Sequence, residues 1–122
     1  MANMANSKVC VVTGVTSGIG KGAAIGLARQ GCHVLMVSRT QERGQLALDE
    51  IKSLVPGAQL ELLCADLASQ RAIAQLAESL KANHSRIDAV VNCAGTFSYA
   101  RTETIDGIET NFAVNYLSAF LL

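Results

Sequence analysis

The sequence predicts an α/β fold: a doubly wound parallel sheet with helices packed on it. Three observations carry that expectation. Four short runs rich in apolar and β-branched residues recur along the 122-residue chain. Longer stretches with helical periodicity separate them, and a glycine-rich turn follows the first run directly. Such alternation implies parallel strands joined by right-handed crossovers.

The runs are "KVCVVTG" (residues 8–14), "CHVLMVS" (32–38), "QLELLCAD" (59–66) and "IDAVVNCAG" (87–95). None alternates strictly, and continuous apolarity suits strands buried on both faces. Helices are expected over 18–30, 41–55 and 69–83, and from Asp106 onward. In the first, Gly22, Ala23 and Gly26 would let the helix sit close on the sheet. In the second, Ala47, Leu48, Ile51, Leu54 and Val55 repeat at helical spacing until Pro56-Gly57 stops them. Ala72, Ile73, Leu76, Ala77 and Leu80 do the same in the third. Asp106 is placed to cap the last helix, with Glu109 at capping-box spacing. Phe112, Ala113, Tyr116, Leu117, Phe120 and Leu121 form its apolar stripe. No internal repeat, linker or low-complexity tract divides residues 1–122, so one domain is expected.

Half the chain is apolar and 16% is charged, which excludes compositional disorder. Ten basic residues balance ten acidic ones with no basic block, so no nucleic-acid footprint is expected. Cys10, Cys32, Cys64 and Cys93 match no zinc spacing and sit in or beside apolar runs. They are read as buried, reduced thiols, which points to a reducing compartment. His33 and His84 lack a cysteine or acidic partner at ligand spacing, so no metal site is expected. "MANMANSK" carries neither an apolar stretch nor a basic leader, so no signal peptide is expected. No run of about eighteen apolar residues suggests a membrane span. A cytoplasmic protein is the expectation.

The turn "GVTSGIG" joins the first strand to the first helix, at the sheet edge where doubly wound folds bind ligands. Gly14, Gly18 and Gly20 leave room for a close ligand, and Thr16 and Ser17 add hydroxyl donors. The helix starting near Gly18 aims free N–H groups and its positive dipole end at the same place. A pyrophosphate fits this environment, and the strand–turn–helix context is the one a dinucleotide fingerprint requires.

"TGVTSGIG" resembles the cofactor motif of the short-chain dehydrogenase/reductase family, Ile19 included. "ADL" at 65–67 is similar to the family's segment after the third strand, and "NCAG" at 92–95 to its N-N-A-G. "TIDGIETNFAVNYLSAFLL" resembles the fifth helix of the retinol dehydrogenase-like branch, with Tyr116 and Ser118 in place of its usual histidine and glycine. The resemblance covers nearly the whole chain. It implies a Rossmann-like sheet with strand order 3-2-1-4, truncated after the fifth helix, and a nicotinamide dinucleotide as partner. Asp66 and Leu67 would border the adenine. Asn92, Ala94 and Gly95 would pass beneath the ribose, with Asn92 equally suited to tying strands together.

The second strand ends "MVSRT". An acid there would favour NAD(H); Ser38 and Arg39 instead suit a 2′-phosphate, which a guanidinium grips bidentately. NADP(H) is expected over NAD(H).

The resemblance further implies hydride transfer between the nicotinamide and a small hydrophobic alcohol or carbonyl. That chemistry uses a tyrosine acid/base, a lysine, a serine and an asparagine on the fifth helix. Asn115 matches the asparagine. No Y-x-x-x-K occurs: Glu103 lies four places after Tyr99, and Phe120 four after Tyr116. The chain is therefore expected to be the cofactor half of a longer oxidoreductase. A short nucleotide-binding protein without catalysis, or an interaction module, are the alternatives. With the first strand this near Met1, the membrane anchor common in that branch is not expected. The resemblance also implies a homodimer through the last helix.

Overall fold

A computed structural model describes residues 7–122. The expectation about a leader in "MANMANSK" concerns mainly residues 1–6, outside the described residues. Four strands form one parallel sheet, in the order β3-β2-β1-β4. They are β1 (Val9–Thr13), β2 (His33–Ser38), β3 (Gln59–Cys64) and β4 (Ala89–Val91). The crossovers are α1 (Gly18–Arg29), α2 (Gln41–Leu54) and α3 (Gln70–Asn83). The result is the Rossmann-like order that the family resemblance implies.

Strand alternation explains why these runs are apolar throughout. Cys10, Val12, Val34 and Met36 pack toward one face, under Ala24, Ala28, Ala47, Leu48 and Ile51 of α1 and α2. Val11, Leu35 and Val37 point to the other, under Leu76 and Leu80 of α3. Each valine, leucine, isoleucine or methionine among them contributes about 1.5–3 kcal/mol when fully buried. The fully buried residues of α1 are Gly20, Ala24 and Ala28, one per turn, and Ala23 is half-buried against the same core, as expected. Gly22 and Gly26 face open space, which corrects the expectation for them. The glycine that admits a helix closely is Gly44 in α2, where a Cβ would lie 2.5 Å from Leu62 Cδ1 and 2.9 Å from Ser38 Cβ.

The cysteines divide. Cys10 and Cys32 are buried free thiols. Burial first, and then the neighbouring Cys32, push the Cys10 thiol up, which keeps it protonated. Cys64, expected to be buried, is exposed at the end of edge strand β3, and Cys93 is half-buried. The fold also gathers His33, His84 and Glu61, scattered in sequence: the Glu61 carboxylate lies 3.7 Å and 3.3 Å from the two imidazoles.

The last helix departs from expectation at its start. Asp106 does not begin it. The segment 104–107 is a turn, closed by Gly107 N donating to Thr104 O at 2.9 Å, with Gly107 at φ +73°. An Asp-Gly pair suits a turn better than a helix cap. Glu109 caps instead, its carboxylate accepting from Asn111 N and Phe112 N. The helix then runs through α4 (Thr110–Phe112), a π turn (Ala113–Leu117) and α5 (Ser118–Leu121). The wide turn shifts the helical phase. Ala113 and Ser118 are buried, while Phe112, Tyr116, Phe120 and Leu121 of the expected core stripe stay exposed. No helix among the described residues is long and apolar enough to cross a membrane.

Strand β4 has only three residues, and side chains fasten it to β1 at both ends. At the start, Asp88 Oδ2 accepts from Val9 N at 2.8 Å, while Asp88 N donates to Val9 O at 2.8 Å. At the finish, buried Thr13 Oγ1 accepts from Cys93 N and Ala94 N, both at 3.1 Å.

Two predictions follow from this stitching. The Val9 amide, and then the Arg86 guanidinium, hold the Asp88 carboxyl below its ordinary value. A depressed folded-state value contributes stability that is present above the unfolded value and lost as pH falls through the folded one. Asp88→Asn, the uncharged analogue, should melt below wild type at neutral pH. The gap should close as pH drops under about 4, in thermal melts across that range. Thr13→Val keeps the shape but strands two amides, so denaturant unfolding should show a loss of about 1–3 kcal/mol. Thr13→Ser should restore most of it.

Candidate functional site

A cleft of about 570 Å³ opens at the carboxyl ends of β1, β2 and β3. That is the size of a small-molecule site, at the place where strand order reverses. Four stretches of chain build most of it, the glycine-rich turn and the segments after β2, β3 and β4, with Thr110 and Val114 of the last helix beside them.

The turn is shaped by its contacts. Val15 is fully buried and anchors it in the core. Gly14 sits at φ +67°, and a Cβ there would lie 2.7 Å from Ala94 N and Cys93 C. A Cβ on Gly20 would collide with the Gly14 backbone, so helix and turn touch main chain to main chain. Both glycines are thus required by the protein's own packing, whereas Gly18 borders open space at φ +57°. Thr16, Ser17, Gly18 and Ile19 line the cleft, and the Ile19 side chain is 84% exposed.

The electrostatics follow from helix capping. Thr40 accepts from Arg43 N at the start of α2, and Ser69 accepts from Ala72 N at the start of α3. Asp106 adds a second cap to α3, accepting from Gln70 N at 2.9 Å. Glu109 caps α4. The start of α1 alone among these has no side-chain acceptor, since Ser17 makes no capping bond. Its first N–H groups and positive dipole end stay available beside the cleft, a ready anion site.

The corner after β2 is cationic. Ser38 is buried, and its hydroxyl donates to Thr40 O at 2.9 Å, fixing the turn that presents Arg39. Arg39 lines the cleft and is exposed, with no acidic partner among the described residues. On the far side, Asp66 and Leu67 line the cleft. The Asp66 carboxylate accepts from Ala68 N at 2.9 Å, and its carbonyl from Ser69 N. Ala94 and Gly95 line the floor; Asn92 is exposed and lies outside the lining.

Asn115 also lies outside the lining, one layer behind it. Its Nδ2 donates to Thr96 O at 2.8 Å and its Oδ1 accepts from Thr96 N at 2.7 Å. Asn111 pairs with Ser98 in the same two-way manner, at 3.1 Å and 3.0 Å. Asn111 lies just before the π turn and Asn115 within it, and the two amides hold the loop after β4 as a strand partner would. Thr13, Arg43, Thr96, Thr110 and Val114 take part in or line the site without having been singled out in the sequence. Thr13 and Arg43 had local signals, a hydroxyl ending an apolar strand and a cation in a helix's first turn. Among the described residues, no group of three His, Cys, Asp or Glu side chains is arranged to hold a metal ion.

Comparison with known proteins agrees with this geometry. Retinol dehydrogenase 12 of Mus musculus is 36% identical over 115 residues, covering 94% of this chain and 36% of that protein. A metagenomic short-chain oxidoreductase, solved with NADP, superposes with TM-score 0.80 at 31% identity, covering 94% of this chain and 52% of that one. L-sorbose reductase from Gluconobacter frateurii, solved with NADPH and L-sorbose, gives TM-score 0.76 at 30% identity, covering 95% and 44%. The chain spans 28–40% of the length of such curated relatives. A model of the short chain dehydrogenase family matches residues 8–122, and the chain belongs to that family.

Proposed function

We propose that this chain forms the cofactor-binding part of an NADP(H)-dependent oxidoreductase acting on a small hydrophobic alcohol or carbonyl. The observation that carries the reading is the uncapped start of α1, set against a glycine turn at the rim of the cleft. That arrangement suits a pyrophosphate: bare amides and a dipole end offer charge compensation without a side chain in the way. Gly18, Ile19 and Gly20 would supply the amides, with the Thr16 and Ser17 hydroxyls beside them. Arg39 would meet a 2′-phosphate, the group that separates NADP(H) from NAD(H). Asp66 and Leu67 would border the adenine, while Ala94 and Gly95 would support the ribose.

When bound, the nicotinamide donates or accepts the hydride. The residues here contribute binding and orientation. Asn115 holds the Ala94–Thr96 floor through the Thr96 backbone, so its side chain acts as a positioning group. No Tyr-x-x-x-Lys lies within these 122 residues, so an acid/base pair for turnover must come from elsewhere. That absence also favours a second reading, a nucleotide-binding protein without catalysis.

Titration of this chain with NADPH and NADH tests the cofactor, and reading the coding sequence past Leu122 for a serine and a Tyr-x-x-x-Lys separates the two readings. NADPH should bind the tighter. Arg39→Ala should weaken NADPH by about 10- to 100-fold and leave NADH nearly unchanged. Equal or tighter NADH binding by wild type would refute the assignment.

A further inference from the structure

We infer that Asp106, at the tip of a small hairpin after β4, is a positioning residue for the adenine wall of the cleft. The inference rests on the dinucleotide reading above and does not depend on the 2′-phosphate. Residues 102–110 build the hairpin. Thr104 N donates to Ile108 O at 2.8 Å and Thr110 N to Thr102 O at 2.9 Å, while the Thr102 hydroxyl donates to Thr110 Oγ1 at 2.8 Å. The root of the hairpin is in the cleft, because Thr110 belongs to the lining. At the tip, Thr104 Oγ1 accepts from Asp106 N at 3.3 Å and from Ile108 N at 3.4 Å. That hub fixes the backbone on both sides of Gly107 and leaves the Asp106 side chain to reach outward.

Burial does not hold the tip: Ile105 is 89% exposed, and Asp106 and Gly107 are exposed too. Among the described residues, one hydrogen bond joins residues 103–108 to an element elsewhere in the fold, Gln70 N donating to Asp106 Oδ2 at 2.9 Å. Helix α3 does not need this bond to begin, since Ser69 already caps it through Ala72 N at 3.2 Å. A local cap of the same kind suffices for α2. The carboxylate therefore does something besides starting a helix.

Gln70 is where α3 meets the turn at 65–69. Ala65, Asp66, Leu67 and Ala68 of that turn line the cleft, on the side assigned to the adenine. The turn is closed by its own bonds, from Ala68 N to Asp66 Oδ1 at 2.9 Å and from Ser69 N to Asp66 O at 3.0 Å. Its orientation is set from outside. Ala65 N donates to Ser38 O at 2.9 Å at one end, and Gln70 N donates to Asp106 at the other. The segments after β3 and β4 leave opposite edges of the sheet, so no strand ladder joins them. The hairpin braces these two walls across that gap. Without the brace the turn samples orientations that do not meet a purine, and apparent affinity falls with the fraction of time the wall is in place.

The test is binding of ADP, NADPH and inorganic pyrophosphate to the chain and its variants, with amide exchange of the free proteins. ADP and pyrophosphate share a diphosphate, and only ADP brings the adenine. Asp106→Ala should weaken ADP and NADPH by about three- to tenfold, the size of a lost cap. Pyrophosphate should stay within about twofold, which also shows that the variant is folded. Amides of residues 66–72 should exchange faster while β1 and β2 keep their protection. Asp106→Asn retains an acceptor oxygen and should recover most of the loss. Thr104→Val removes the hub and should match Asp106→Ala, and the double variant should be no worse than either alone. A uniform loss for all three ligands, or an Asp106→Ala protein that keeps wild-type affinity for ADP, overturns the inference and leaves the cofactor reading standing. If wild type binds neither ADP nor NADPH, both fall together.

Discussion

One buried hydroxyl governs the geometry of the cleft. Thr13 Oγ1 receives two amides from the segment that leaves β4, so the first and fourth strands end in a common knot. The knot sits directly under the glycine turn, with Gly14 pressed against Cys93 and Ala94. Backbones this close leave no space for side chains, and the cleft floor inherits its shape from that contact. A three-residue strand is too short to hold its own register by ladder bonds alone. Asp88 at the other end supplies the second point of attachment, and two points fix a line.

The same economy recurs behind the floor. Asn111 and Asn115 each offer one donor and one acceptor, the two bonds a neighbouring strand would offer. They hold the backbone at Thr96 and Ser98 without a strand beside it. The π turn carries the second of these amides, and wide turns of this kind concentrate at functional positions. Electrostatics add a second layer. Hydroxyls or carboxylates of the chain answer the starts of α2, α3 and α4, and the start of α1 is left for something else to answer.

Much of this was legible in the sequence, for reasons that can be named. The strands announce themselves because both faces are covered, and the turn because glycines cluster where a strand gives way to a helix. Strand order followed from the family resemblance and was met in the sheet. Contacts made across the fold were less legible. Asp106 and Glu109 have capping-box spacing, yet Gly107 between them adopts a turn and Asp106 caps a different helix, 36 residues away. The expected stripe of the last helix assumed 3.6 residues per turn, and a π turn changes the phase. Gly22 and Gly26 looked suited to close packing but lie off the buried face, whereas Gly44 lies on it. Cys64 belongs to an apolar run, but its strand is at the sheet edge. Nothing local marks Glu61 as the meeting point of two histidines.

The open start of α1 also bears on how long the folded chain lasts. Ligand that enters only the native form lowers the population of opened molecules in proportion to its occupancy. At a hundredfold excess over its dissociation constant, the shift is about 2.7 kcal/mol, which thins the unfolded fraction roughly a hundredfold. Proteases that wait for open chains would then sample the surrounding coenzyme pool through this one helix end.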